Sequence, residues 1–213
     1  TNGTAYVFRV LAKNLAGSGS YSATSSSSTP RTVPTISGQP VLTNAGSGQL
    51  LVTWTAPTSN GGSAITDYGV ERYQYNNGCG CWQSVVDGVS TATTFTDTGL
   101  INGQQYFYRV YAINAAGNGP TSPQSLAEFV VGPTAAPTNV AGTIGNAQVQ
   151  LTWTAPAANG GTISDYTIQY SSDSGTTWTT FADTVSATAS VTVTGLTNGT
   201  AYVFRVAATN QAG

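Results

Sequence analysis

Hydrophobic and polar residues alternate with a period of two along several short stretches of this chain. In Tyr106-Phe-Tyr108-Arg-Val110-Tyr-Ala112, an extended backbone puts Tyr106, Tyr108, Val110 and Ala112 on one face. Phe107, Arg109 and Tyr111 then fall on the other. Gln49–Trp54 and Ile65–Arg72 predict two further strands, separated by Ala56-Pro57 and a turn at Asn60-Gly61-Gly62. Thr94–Asp97 leads to Leu100, and the glycine-rich Ala116–Pro120 turns the chain into a last strand near Leu126–Val131. The order then returns, with Gln148–Trp153, Ala155-Pro156, Asn159-Gly160-Gly161, Ile163-Ser-Asp165-Tyr166, Thr177-Trp178, Val191–Val193, Leu196 and Tyr202. Short strands with turn signals every 8–12 residues or so indicate a β-sandwich or barrel. Nothing in the chain has helical periodicity, so the predicted fold class is all-β.

The alternation recurs because the chain repeats itself. Thr1-Asn-Gly-Thr-Ala-Tyr6-Val-Phe8-Arg-Val10 returns unchanged at Thr197–Val206, and Ile101–Val110 is a looser copy. Tyr6, Tyr106 and Tyr202 are spaced by 100 and 96 residues, the size of one small β domain. This predicts a tandem array. Residues 1–29 are the last two strands of one domain with a Ser/Thr linker, 33–131 a complete domain, and 134–213 a domain lacking its last strand. Two strands alone bury no core, so the expectation is a window onto a longer repetitive chain.

The Trp-Thr-Ala-Pro runs at Trp54 and Trp153 and the Gly-Gly turn before Ile-x-Asp-Tyr stand out together. So does Leu100-x-x-Gly103-x-x-Tyr106, repeated as Leu196, Gly199 and Tyr202. In these residues, and over almost its whole length, the sequence resembles the fibronectin type III family. The resemblance implies tandem immunoglobulin-like β-sandwiches. It also implies a structural tyrosine corner at Tyr6, Tyr106 and Tyr202, with each hydroxyl bonded to backbone upstream. Trp54 and Trp153 would fill the sandwich centres.

Composition narrows the function. Only 7% of residues are charged, the net charge is -2, and 39% are hydrophobic, which suits folded strands. The six basic residues include Arg9, Arg109 and Arg205, which recur singly and form no patch for nucleic acid. No run of 18 apolar residues predicts a membrane span. Histidine is absent, so nucleophilic catalysis has no obvious base. Asp67 and Asp165 hold one position in successive repeats, which points to turn or strand-edge hydrogen bonding, and Asp173 and Asp183 are hairpin residues. No catalytic, metal or cofactor site is expected.

Cys79-Gly80-Cys81 lies in a hairpin two residues longer than its counterpart, counting from Tyr68 to Trp82 against Tyr166 to Trp178. A local disulfide, pairing with another chain, and free thiols are all open, whereas two thiolates alone leave a tetrahedral metal site half empty. Tyr73, Tyr75 and Trp82 surround this hairpin and Trp178 lies on the matching one. They are candidate contacts for glycan or a partner, against the alternative of packing across the hairpins. Asn2 and Asn198 head Asn-Gly-Thr sequons, candidate glycosylation sites, while Asn102-Gly-Gln104 lacks one. The Ser/Thr stretch Thr24–Thr29 also suits O-glycans.

The expected function is non-catalytic: a segment of a long extracellular or cell-surface repeat protein acting as stalk, adhesin or fibre. Its partners would be further copies of itself or adjacent repeats in a head-to-tail array, with polysaccharide or a surface protein as further ligands. The Gly/Thr/Asn-rich, Lys-poor texture is similar to that of bacterial surface proteins. The alternative is a spacer or carbohydrate-binding accessory role in a secreted polysaccharide-degrading enzyme.

Overall fold

A computed structural model describes residues 1–75 and 80–213 of the chain. Every regular element among them is a strand. Contacts divide the chain into two compact units. One comprises Thr1–Leu42, Leu51–Phe95 and Phe107–Ala127; the other comprises Thr43–Leu50, Thr96–Tyr106 and Glu128–Gly213. Each unit thus joins part of the middle repeat to one neighbouring repeat.

The N-terminal repeat contributes β1 (Lys13–Asn14) and β2 (Gly17–Ser18), which pair antiparallel, with an isolated bridge between Tyr6 and Ser28. The middle repeat contains β3 (Val41–Gly46), β4 (Gln49–Thr53), β5 (Ile65–Gln74), β6 (Gln83–Ser84), β7 (Thr94–Asp97), β8 (Gln105–Asn114), β9 (Gly117–Asn118) and β10 (Glu128–Phe129). Its sheets have the orders β3-β4-β7 and β10-β8-β5-β6, with β9 also paired to β8. The third repeat contains β11 (Thr138–Gly145), β12 (Gln148–Thr154), β13 (Asp165–Ser171), β14 (Thr179–Thr180), β15 (Ser190–Thr194) and β16 (Val203–Thr209). Its sheets are β11-β12-β15 and β14-β13-β16.

The period-two pattern decides which face of each strand is buried. Along β8, Tyr106, Tyr108, Val110 and Ala112 are buried and Phe107, Arg109 and Tyr111 are only partly so, the faces that alternation predicts. In the third repeat, Leu151 and Trp153 of β12 form one core with Tyr166 and Ile168 of β13, Val193 of β15, Leu196 and Val206 of β16. Trp153 meets Tyr166 edge-on at 4.9 Å, and Trp54 meets Tyr68 likewise at 5.4 Å. Burying each of these aliphatic side chains contributes about 1.5–3 kcal/mol.

The last strand differs from expectation. Only Glu128 and Phe129 pair regularly, opposite Tyr106 and Gln105, and Leu126 is exposed. Upstream, two serines carry the pairing. Ser122 N donates to Val110 O at 2.7 Å while Ser122 Oγ accepts from Val110 N at 3.0 Å. Ser125 does the same opposite Tyr108, at 2.8 and 3.0 Å. A hydroxyl replaces the carbonyl that a regular strand would supply, so the segment advances three residues per rung instead of two. Ser22 and Ser25 treat Val10 and Phe8 identically. Ser25 and Ser28, read from sequence as linker, therefore belong to a ladder.

Candidate functional site

Three recurrent devices involve the turns before the tyrosine strands, and all three meet at the turn before Tyr106. The first is the corner. Tyr106 is buried, and its hydroxyl accepts from Ile101 N at 3.0 Å; Tyr202 accepts from Thr197 N at 3.2 Å. The Tyr6 hydroxyl accepts from the Thr1 amino group at 2.6 Å. Each ring thereby ties the strand to the residue five positions upstream. The turn between is closed by bonds such as Gln104 N to Ile101 O and Thr200 N to Thr197 O.

The second device is an asparagine clamp. Asn102 Oδ1 accepts from Gly48 N at 2.8 Å, and its Nδ2 donates to Ser47 Oγ at 2.8 Å. Asn198 repeats this, accepting from Ala147 N at 2.9 Å and donating to Asn146 Oδ1 at 2.8 Å. Each amide fastens the corner turn to the first hairpin of its own repeat. Because Asn102 has the clamp without a sequon, the clamp accounts for the recurrence of asparagine here. Nδ2 of Asn198, the atom that an N-glycan would occupy, is already donated. Asn2, at the same position in the first copy, is exposed.

The third device is a contact between repeats, made once within each compact unit. In the first unit, Gly3 N donates to Pro30 O at 2.9 Å, and Gly3 lies against Gly62 so closely that a Cβ on Gly3 would stand 3.1 Å from Gly62 Cα. A Cβ on Gly62 would overlap Gly3 N. In the second unit, Gly103 N donates to Val130 O at 2.8 Å, and a Cβ on Gly160 would stand 3.0 Å from Gly103 N and overlap Val130 O. Gly3, Gly62, Gly103 and Gly160 all have φ between 79° and 91°, the left-handed region that favours glycine.

A buried asparagine anchors the connecting segment on each side. Asn114 Nδ2 donates to Thr32 O at 2.8 Å and Asn60 O at 2.7 Å; Asn210 Nδ2 donates to Gly132 O and Ala158 O, both at 2.9 Å. The connector closes on the turn through Thr32 N to Gly61 O and Gly132 N to Asn159 O. These bonds correct the letter-by-letter alignment of the two Asn-Gly-Gly turns. Structurally, Asn159 stands where Gly61 does, in a left-handed conformation at φ 51°, and Gly160 stands where Gly62 does. The third repeat has one residue fewer between its Trp-Thr-Ala-Pro run and the Ile strand, and the turn absorbs it by using asparagine, which tolerates this region.

Of the aromatic candidates, Tyr73 lies in β5, Tyr75 in the turn just after it, and Trp82 and Trp178 immediately before β6 and β14. Tyr73 lies 5.8 Å from Trp82 and 6.0 Å from Phe107, centroid to centroid. Arg109 covers Trp82 at 4.5 Å while its Nε donates to Glu71. Tyr73, Tyr75, Trp82, Phe107 and Gln124 line a groove of about 230 Å³, with Tyr75 54% exposed. Arg205 covers Trp178 at 4.2 Å and donates to Gln169 Oε1, and Arg9 covers Tyr21 at 3.9 Å. The singly recurring arginines therefore each cap an aromatic ring, an interaction of about 0.5–1 kcal/mol at exposed sites. Cys81 is disulfide-bonded, and Cys79 lies outside the described residues.

The acidic residues are held in local networks. Asp67 Oδ1 accepts from Tyr68 N and Ser90 N, both at 2.9 Å, and Asp165 Oδ1 accepts from Ser186 N at 3.0 Å. Asp173 accepts from Ser171 Oγ at 2.6 Å, from Thr177 N at 2.9 Å and from Thr177 Oγ1 at 2.7 Å. These bonds, Ser171 foremost, lower its pKa to about 2. Asp87 is shifted upward, chiefly by desolvation and with a smaller contribution from Asp67, against a backbone hydrogen bond that lowers it. Among the described residues, no three acidic, cysteine or histidine side chains cluster as metal ligands. Nor, among the described residues, is any helix long and apolar enough to cross a membrane.

The family profile named "Fibronectin type III domain" matches residues 34–128 and again 135–213. The chain belongs to the fibronectin type III family. A titin homolog of Caenorhabditis elegans is 29% identical over 99% of this chain and 1% of its own length. Exoglucanase B of Cellulomonas fimi is 35% identical over 100% of this chain and 19% of its own. Human cardiac-type myosin-binding protein C is 29% identical over 85% of this chain and 14% of its own. The chain thus spans a fifth or less of these relatives. Domains A168-A170 from titin superpose at TM-score 0.46 with 27% identity, covering 59% of this chain and 41% of that one.

Sequence reasoning named the corner tyrosines and core tryptophans of these fibronectin type III domains but missed the glycine contacts and asparagine anchors at their joints. The signal that would have found the joints is a glycine recurring at the corner turn and again in the turn following the Pro-bearing connector. Asn114 and Asn210, each just after the alternating tyrosine strand, went unnoticed because an asparagine at a strand end reads as turn chemistry.

Proposed function

We propose that these tandem fibronectin type III domains form a non-catalytic spacer in an extracellular repeat protein, serving as stalk or fibre. The observation that carries this reading is that two successive joints are built alike, each with a glycine donating to the connector and a second glycine packed on the first. An array whose joints are specified in this way holds a defined spacing along its length. The disulfide at Cys81 supports an oxidising, extracellular compartment. Electron microscopy of the native material tests the proposal. Fibres or stalks with a regular repeat are expected, and compact discrete particles would overturn it.

A second reading is favoured by the 35% identity to exoglucanase B. On it, the domains space or assist the catalytic part of a secreted polysaccharide-degrading enzyme, with the Tyr73, Tyr75, Trp82 and Phe107 groove stacking on sugar rings. Pull-down on insoluble cellulose that is lost in Tyr75→Ala would support it, and absence of binding by the parent chain would remove it.

A further inference from the structure

We propose that the groove beside Trp82 takes one ring of a single, uncharged β-glucan chain, with Tyr75 as the stacking ring and Gln124 as the hydrogen-bonding residue. The inference rests on the polysaccharide reading of this groove and narrows its ligand. Three observations carry it.

The rings that build the groove are additions to the middle repeat. Strand registers pair Glu71 with Ser84 and Gln169 with Thr180, so Tyr73 corresponds to Ser171 and Trp82 to Trp178. Counted from the corner tyrosines, Phe107 corresponds to Val203 and to Val7. The third repeat keeps an arginine over the tryptophan, Arg205 on Trp178, with neither extra ring. The sandwich therefore does not need Tyr73 and Phe107 for its own packing.

Ring geometry sets the form of the ligand. Tyr73 is tilted by 53° to Trp82 and by 70° to Phe107, so these rings share no plane. The flat face of a crystalline polysaccharide calls for coplanar rings, whereas a single chain entering a groove does not. Tyr73, Trp82 and Phe107 are half-buried and Arg109 covers a face of Trp82, which leaves Tyr75, 54% exposed, to stack. A β-glucan ring carries its hydroxyls equatorially and so offers axial C–H groups to that face. The groove, about 230 Å³, falls below the roughly 300 Å³ at which pockets begin to enclose drug-sized ligands, so it takes one ring.

Charge and hydrogen bonding set the chemistry. The lining side chains, Tyr73, Tyr75, Trp82, Phe107 and Gln124, are neutral near pH 7, and Arg109 is paired with Glu71. A uronate or sulfate would lose water here without gaining a partner. Gln124 brings an amide that both donates and accepts, which suits adjacent sugar hydroxyls. Its backbone is fixed in advance: its carbonyl accepts from Gln39 Nε2 at 2.6 Å, and the Ser125 rung ties the next residue to Tyr108. Binding thus has little backbone left to order.

Affinity electrophoresis of the 213-residue chain through gels containing hydroxyethyl cellulose tests the proposal, with adsorption to amorphous and to crystalline cellulose beside it. Retardation in the gel, adsorption to amorphous cellulose and none to crystalline cellulose are expected. Tyr75→Ala is expected to weaken binding about tenfold and Gln124→Ala about threefold. Both side chains are exposed, so melting should stay unchanged. Retardation that survives both substitutions would overturn the proposal, as would equal retardation by carboxymethyl cellulose. Retardation by poly-L-proline in place of the glucan would overturn it in favour of a proline-rich peptide. Equal adsorption to crystalline and amorphous cellulose, lost in Tyr75→Ala, would overturn the single-chain ligand and leave the polysaccharide reading standing. Absence of binding to every glucan would remove both.

Discussion

At the scale of single residues, the buried asparagines Asn114 and Asn210 each satisfy two backbone carbonyls at once. The connector and the turn opposite it each present a carbonyl with no strand partner. One primary amide donates to both and accepts from the backbone two residues on, as Asn210 does with Gly132 O, Ala158 O and Ala212 N. Asn210→Ala leaves these groups unpaired near the protein interior and is expected to lower stability by about 1–3 kcal/mol in urea denaturation. Asn210→Asp keeps the shape but loses both donors, so it should not restore stability. Tyr106→Phe removes the acceptor for Ile101 N and is expected to cost about 1–2 kcal/mol by the same measurement. The tyrosine was legible in sequence because the family resemblance at Leu100-x-x-Gly103-x-x-Tyr106 implies it. The asparagine was not, because its role depends on two backbone carbonyls more than fifty residues away.

Elements of this chain obey local periodicity until side chains enter the backbone ladder. The faces of β8 were legible because alternation is a property of any extended chain with one buried side. The serine segment Ser122–Ser125 was not, since its rungs are three residues apart and use hydroxyls. Ser122→Ala deletes the acceptor for the buried Val110 N–H and is expected to cost about 1–2 kcal/mol, with faster amide exchange confined to Val110 and its neighbours. The hairpin before Trp178 makes a pH prediction. Asp173 has a folded pKa of about 2 against 3.8 for the unperturbed carboxyl. A depressed folded value means that the carboxylate stabilises the hairpin above pH 3.8, and the contribution fades as pH falls toward 2. Carboxyl-resolved NMR titration should find Asp173 titrating near the lower value, and Asp173→Asn should remove that transition.

For the whole molecule, the joints matter most. Gly160→Ala places a Cβ against backbone atoms of Val130 and Gly103, which cannot swing aside as a flexible side chain would. Its left-handed φ adds about 1–2 kcal/mol of intrinsic strain. The variant is expected to lose amide protection at Gly103 while the third-repeat core, around Val193 and Ile168, stays protected. Loss of protection throughout that core would instead show that Gly160 serves the folding of its own repeat.

The sequence by itself determined the all-β class, the tandem repetition and the buried face of β8, because each follows from spacing along one strand or from repetition of the same letters, and the family was legible as a resemblance in a few motifs. Tertiary structure alone decided the rest: that Asn102 and Asn198 clamp hairpins, that Arg9, Arg109 and Arg205 cap aromatic rings, and that Gly62 and Gly160 are equivalent despite the alignment of their turns. These depend on backbone groups brought together from distant parts of the chain. Such groups carry no side-chain signature, so no pattern of letters announces them.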